Sequence, residues 1–241
     1  MTESKTLLSR PYQELYSDYY AKNGLLKREL SASQSVACMA RALENATTDK
    51  LLDVGAGEGS VLLQLGRRGL AHELHAMEIS ESGVATIKSR NIPRLSKVQL
   101  FDGYTIPYPD KYFDLSIAIH VLEHVEHERL FLREIGRVSR RAYIEVPLEH
   151  GFRIQRSIVS GRKYGHINFY TRETLCNLLQ SSSFEVVRSE VFPSSAAYEE
   201  CISGRFKGRL KNLARRCALA AAPRLAPWFI AYNGYALCEC K

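Results

Sequence analysis

The chain of 241 residues has no stretch approaching the ~20 consecutive apolar residues needed to span a bilayer. Its start, MTESKTLLSR, lacks the apolar h-region of a secretory signal, so a cytoplasmic location is expected. The six cysteines (Cys38, Cys176, Cys201, Cys217, Cys238 and Cys240) include no C-x-x-C pair, and several sit in apolar runs like small core residues. Reduced thiols are the expectation. Internal repeats and low-complexity tracts are missing too, and the length fits one domain over residues 1–241. One segment lacks acids. Between Cys201 and Ala231 stand Arg205, Lys207, Arg209, Lys211, Arg215, Arg216 and Arg224 with no Asp or Glu, which accounts for the whole net charge of +7. The remaining 26 Lys and Arg balance the 26 Asp and Glu. A uniformly basic DNA-binding domain would look different, and no DNA partner is expected.

The stretch Lys50–Ser60, KLLDVGAGEGS, is present in place of these features. It reads as a buried strand, a tight turn and the start of a helix. Gly55, Gly57 and Gly59 serve a backbone that turns sharply and lets a ligand approach closely. The dinucleotide fingerprint G-x-G-x-x-G would place its third glycine one position later, where Ser60 stands. Asp53 closes the strand. A carboxylate there suits a ligand with a cationic group, such as an amino acid's ammonium, better than a pyrophosphate.

Along the chain, residues 11–45 read as helical, with Tyr12, Tyr16, Tyr19 and Tyr20 at helical spacing and a second helix over Ser33–Leu43. Strands follow at Lys50–Val54, Glu73–Ile79, Val98–Asp102, Phe113–His120 and Ala142–Val146, alternating with helices at Ser60–Arg68, Glu81–Ser89 and Glu126–Val138. The near-continuous apolar run FDLSIAIH suits a central strand covered on both faces. A helix over Thr171–Leu179 and strands at Phe184–Phe192 and Gly234–Cys240 complete the reading. The alternation predicts a parallel sheet with ligands outside the carboxyl ends of its strands, where Asp53, Glu78, Asp102, His120 and Pro147 stand.

These ordered signals resemble the class I S-adenosylmethionine (SAM)-dependent methyltransferases, small-molecule branch, over nearly the whole chain. DVGAGEG is similar to that family's first motif, FDGYTIPYPDKYFD to its adenine-binding segment, and IHVLEHVEH with LREIGRVS to its fourth-strand region. The resemblance implies an α/β fold: a three-layer, Rossmann-like, seven-stranded, mostly parallel sheet with an antiparallel last strand. It implies SAM as cofactor, held by Asp53, Gly55, Ala56, Gly57, Glu78, Ile79, Asp102, Gly103 and His120. In the family the acid matched by Glu78 binds the ribose hydroxyls, and the one matched by Asp102 the adenine amine. The residues agree independently, since an ammonium, a diol and an exocyclic amine call for acids at successive strand ends. The segment 1–48 is then an N-terminal helical lid, and 194–232 a basic insertion before the last strand.

A hydroxyl acceptor must lose a proton, and His124, His150 and His166 are the candidate general bases. His120, Glu123 and His124 fall at i, i+3 and i+4. The bare text H-x-x-E-H matches the inverted zincin pattern, but here its first histidine closes a strand instead of lying on a peptidase helix. The nearer likeness is the cation-holding E-x-x-E-H of ubiquinone-pathway O-methyltransferases and small-RNA 2′-O-methyltransferases, from which this chain departs by having His120 in place of an acid. No metal ligand is assigned. In the insertion, Phe206, Leu210, Leu213 and Cys217 follow helical spacing beside Lys207, Lys211 and Arg215, which predicts a basic amphipathic helix closing the substrate pocket, or a contact with an anionic surface through residues 205–224. The expected function is O-methylation of a small-molecule or lipid- or sugar-linked acceptor. The alternatives are a metal-assisted RNA 2′-O-methyltransferase and a SAM-binding sensor without chemistry.

Overall fold

The computed structural model describes residues 24–241. The four N-terminal tyrosines and the first half of the expected lid lie outside them. Helix α1 spans Leu25–Ala42 and leads into β1 (Thr48–Val54), α2 (Ser60–Arg68), β2 (Ala71–Glu78), α3 (Glu81–Ser89), β3 (Leu95–Leu100) and β4 (Phe113–Ile119). A short 3₁₀ turn at Leu122–His124 precedes α4 (Glu128–Val138) and β5 (Ser139–Leu148). The rest is α5 (Ile154–Gly161), α6 (Arg172–Gln180), β6 (Phe184–Phe192), α7 (Ala196–Ser203), α8 (Arg205–Ala221), α9 (Ala226–Phe229) and β7 (Tyr232–Cys240).

The strands form one seven-stranded sheet in the order β3-β2-β1-β4-β5-β7-β6. Pairings among the first five are parallel, and β7 runs antiparallel between β5 and β6. Successive residues of the central strands enter two separate cores, as a period of two requires. Leu51, Leu115, Ile117, Tyr143, Tyr235 and Leu237 join Val36 and Met39 of α1 and Leu62 and Leu65 of α2 on one face. Leu52, Val54, Ala118, Ile144, Ala236 and Cys238 meet Phe131 and Ile135 of α4 and Leu175 and Leu179 of α6 on the other. Each fully buried Leu or Ile here contributes roughly 1.5–3 kcal/mol. All six cysteines are unbridged, and Cys238 and Cys240 share one face.

Three differences from the sequence reading affect the site. Strand β3 ends at Leu100 instead of reaching Asp102, because Asp102 accepts from the N–H groups of Tyr104 and Thr105 and so starts a turn. Helix α7, unread in the sequence, is started by Ser195, whose Oγ accepts from Tyr198 N. Helix α8 is where the periodicity predicts it, but its apolar stripe faces outward, and α7 lines the cleft in its place. Helix α1 is fastened across the carboxyl ends of the strands. Gln34 donates to Pro193 O at 2.6 Å and accepts from Ser195 N at 2.6 Å, and Glu29 pairs with Arg90 at 2.7 Å.

Candidate active site

A cleft of about 1220 Å³ opens over the carboxyl ends of β1, β2, β4 and β5. It straddles the β1–β4 junction, where the strand order reverses and α/β sheets leave a crevice. Ligand pockets run roughly 300–1,000 Å³, so this one has room for a cofactor and an acceptor together. The turn after β1 is hooked to β2, with Gly55 N and Ala56 N both donating to Met77 O. Gly55 has φ +80°, and a Cβ there would lie 2.7 Å from Val121 Cγ2. Gly55→Ala is therefore expected to cost about 1–3 kcal/mol through the left-handed backbone alone. Thermal unfolding of the variant, compared with wild type, checks this.

Glu78 is buried at the end of β2 and accepts from Gly57 N at 2.8 Å and Ser80 N at 2.9 Å. Burial raises its pKa to about 7 against these backbone bonds. Asp53, also buried, is pushed up to about 8 by burial and by the charges of Glu78 and Glu58. Its Oδ2 has no hydrogen-bond partner among the described residues. A buried carboxylate without a partner on a cleft wall is a seat for a cation, and the donor set therefore fits a ligand with an ammonium and a diol. Ile79 and Gly103 also line the cleft, flanked by Phe101 and Tyr104. Asp102 has both oxygens engaged in its own turn, Oδ1 with two backbone N–H groups and Oδ2 with Thr105 Oγ1.

The far wall is built by strapping two distant segments together. Ile167 N and Asn168 N both donate to Glu123 O, and the Asn168 amide donates to the carbonyls of Leu122 and Val125. Tyr170 OH adds bonds to Leu122 O and to the Glu128 carboxylate. This brings His166 against His124, ring centroids 4.9 Å apart. His166 Nδ1 lies 2.8 Å from Glu149 Oε2, and its Nε2 has no hydrogen-bond partner among the described residues. Burial opposes protonation of His166, but the Glu149 hydrogen bond and the charges of Glu123 and Glu149 raise its pKa. Burial lowers the pKa of His124, whose Nδ1 lies 3.1 Å from Gly165 O.

His120 follows β4 at φ +55°, an unusual backbone for a histidine. Its Nδ1 is 3.4 Å from Glu123 Oε1 and its Nε2 3.4 Å from Glu145 Oε1, both carboxylates being fully buried. Burial works against the charge, yet the two acids raise its pKa to about 10 and keep it cationic. Burial likewise opposes ionisation of Glu123, and His120 with its neighbours still holds that carboxyl below the usual range. Glu145 also accepts from Ser35 of α1 and from Tyr143. His150 lies elsewhere. It is exposed beside a separate shallow pocket with Ile154 and Tyr170, and its N–H donates to Tyr170 O. Glu123, His124 and His166 each offer a ligand atom within 4.8 Å of the others and could hold a metal ion.

Glu145 and Glu149 were not singled out in the sequence. Glu149 follows β5 directly, which was the available signal, but its pairing with His166 arises only from the fold.

A doubly wound sheet with an antiparallel final strand and a glycine turn backed by acids at successive strand ends defines the class I methyltransferase class. A family model described as "Methyltransferase domain" matches residues 26–189. The chain belongs to that family, whose cofactor is S-adenosylmethionine. Among curated relatives it is similar to a ubiquinone/menaquinone biosynthesis C-methyltransferase, UbiE, of Cupriavidus metallidurans, 27% identical over 53% of this chain and 53% of the relative. It is also similar to a malonyl-[acyl-carrier protein] O-methyltransferase of Halorhodospira halophila, 32% identical over 37% of this chain and 31% of the relative. The chain covers between 31% and 60% of the length of the curated relatives it matches. Among solved structures it is similar to geranyl diphosphate C-methyltransferase from Streptomyces coelicolor, in complex with Mg²⁺, geranyl diphosphate and S-adenosyl-L-homocysteine. The TM-score is 0.66 at 12% identity, covering 97% of this chain and 100% of that one.

Proposed function

We propose that the protein methylates a hydroxyl of a small-molecule or lipid- or sugar-linked acceptor, with His166 as general base. The observation that carries this reading is the His166–Glu149 pair on the cleft wall, with Nε2 left over to take a proton. Bound in the cleft, S-adenosylmethionine supplies an electrophilic methyl on a sulfonium. The protein's part is to hold, orient and deprotonate. Asp53 would hold the cationic end, the turn from Gly55 through Ala56 to Gly57 would let the ligand approach, and Glu78 would accept from the ribose. Ile79 and Gly103 would flank the adenine, and His120 lies between Glu123 and Glu145. Glu149 holds the Nδ1–H of His166, which leaves Nε2 as acceptor for the hydroxyl proton.

A second reading rests on the cluster of Glu123, His124 and His166. Two imidazoles and a carboxylate suit a borderline divalent ion better than Mg²⁺, and the cationic His120 next to Glu123 opposes any dication there. Methyl-labelled cofactor incubated with lipid, small-metabolite and RNA fractions, with and without a chelator, separates the readings. Label is expected in lipid or small-metabolite fractions and is expected to survive chelation. Label in RNA that is lost on chelation and restored by a divalent ion supports the metal-assisted reading. Cofactor binding without labelled product supports the sensor.

A further inference from the structure

Helix α8 is amphipathic the wrong way round for a helix that packs in water. A soluble helix buries its apolar stripe. In α8 the buried positions are Gly208 and Asn212, with Arg215 partly covered. Gly208 lies against the backbone of α7, where a Cβ would be 2.5 Å from Glu199 C and Glu200 N. Asn212 donates to Ser194 O at 2.6 Å, and Glu199 takes Arg215 together with Lys211, the latter at 2.8 Å. Polar contacts therefore anchor the inner face. The stripe Phe206, Leu210, Leu213 and Cys217 points away from the protein, with Phe206 84% exposed and both leucines 58% exposed.

Cations border that stripe on both sides. At 100° per residue, Arg205, Arg209 and Arg216 fall along one edge and Lys207 and Lys211 along the other. Among the described residues, Arg205, Lys207, Arg216 and Arg224 make no ion pair. Beyond the helix, Trp228 and Phe229 are exposed, and Phe229 stacks on the exposed Phe152 with centroids 4.8 Å apart.

We propose that α8 docks in the plane of an anionic lipid leaflet, its outward stripe in the acyl boundary and its flanking cations on the phosphates. No helix among the described residues is long and apolar enough to cross a membrane, so the attachment is peripheral. Charge decides the occupant. The four cations without an ion pair among the described residues, Arg205, Lys207, Arg216 and Arg224, complement anionic headgroups, whereas a second copy meeting the stripe face to face would set those cations against one another. Helix α7 lies between α8 and the cleft and lines it with Tyr198 and Ile202, so docking would hold the cleft close to the leaflet.

The test uses the full chain without acceptor and so does not depend on methyl transfer. Vesicles of phosphatidylcholine with and without phosphatidylglycerol are mixed with protein at low and high salt. Binding is read by co-sedimentation and by the emission of the single tryptophan, Trp228. Binding is expected only with phosphatidylglycerol and is expected to fall with salt. Replacing Lys207 and Arg216 together by glutamine should weaken it about 25-fold, taking each cation as worth about fivefold. The triple variant Phe206→Ser, Leu210→Ser, Leu213→Ser should lose it, while its affinity for S-adenosylhomocysteine verifies an intact fold. No binding, equal binding to vesicles lacking phosphatidylglycerol, or undiminished binding by the triple variant overturns the proposal. A dimer seen by sedimentation that the triple variant abolishes, without vesicle binding, assigns the stripe to a second copy instead.

Discussion

Replacing His166 by alanine is expected to lower kcat by about 10²–10⁴-fold, the range for loss of a positioned general base. Affinity for S-adenosylhomocysteine should change little, because among the described residues His166 makes no hydrogen bond or ion pair with Asp53, Glu78 or the Gly55–Gly57 turn. The pH profile identifies the role more sharply than the loss of rate. Burial alone would lower the His166 pKa, but Glu149 and Glu123 raise it, and a histidine accepts a proton only when neutral. The rate should therefore rise with pH along a limb whose midpoint lies above about 6.5, the ordinary histidine value. Glu149→Gln keeps an oxygen to receive the Nδ1–H but removes a charge that favours the imidazolium, so the midpoint should move to lower pH. Rates measured across pH for both proteins give the comparison. An unmoved midpoint in Glu149→Gln would show that another group titrates. His124→Ala tests the neighbouring ring: burial lowers the pKa of His124, so a limb belonging to His124 would have its midpoint below about 6.5 and would vanish in that variant.

The second large effect belongs to Glu78. Its two oxygens already accept from Gly57 N and Ser80 N, yet a carboxylate has about four lone-pair sites and keeps capacity for a diol. Two hydrogen bonds to a charged acceptor are worth about 3–6 kcal/mol together, so Glu78→Ala should weaken S-adenosylhomocysteine binding by about 10²–10⁴-fold. Calorimetric titration measures this without an acceptor. Glu78→Gln adds a second test. Its NH₂ must face either Gly57 N–H or Ser80 N–H, two donors without an acceptor, so the glycine turn should loosen even where a ribose bond survives. If Glu78→Gln binds like wild type, the carboxylate's charge has no part in the site.

The placement of the glycine turn, Asp53 and Glu78 on one cleft wall was largely legible in the sequence, and the wall carrying the histidines was not. Asp53, the glycines and Glu78 are separated by stretches that the strand–helix alternation converts directly into adjacency, because parallel neighbours align their carboxyl ends. Asp102 shows the limit. Its spacing matches a strand end, but a short acidic side chain followed by Gly103 also starts a turn, and the local hydrogen bonds prevailed. The far wall depends on residues 122–125 meeting residues 166–170, a contact made by the backbone of Ile167 and Asn168 and by the Asn168 amide and Tyr170 hydroxyl, all reaching main-chain carbonyls whose position only the fold sets. The three candidate histidines were therefore equivalent on paper, and tertiary contacts separate them: His124 and His166 share the cleft, while His150 projects elsewhere. Helix α8 teaches the same lesson in another form. Periodicity fixes that a stripe exists, and Gly208 against the α7 backbone, with Asn212 and Arg215 bonded inward, determines which side turns inward.

The position of β7 has a consequence for the order in which the molecule can assemble. Among the strands of the described residues, β6 pairs only with β7, so its backbone groups have no sheet partner there until the nine-residue β7 has slotted between it and β5. Residues 193–231, including the exposed stripe of α8, are synthesised before that closure. During synthesis an unpaired strand and an uncovered apolar helix thus coexist in one chain, the kind of transient state that aggregates or recruits a chaperone. Closure of the sheet becomes the late, long-range step of folding, because β5 and β7 must find each other across the whole intervening segment.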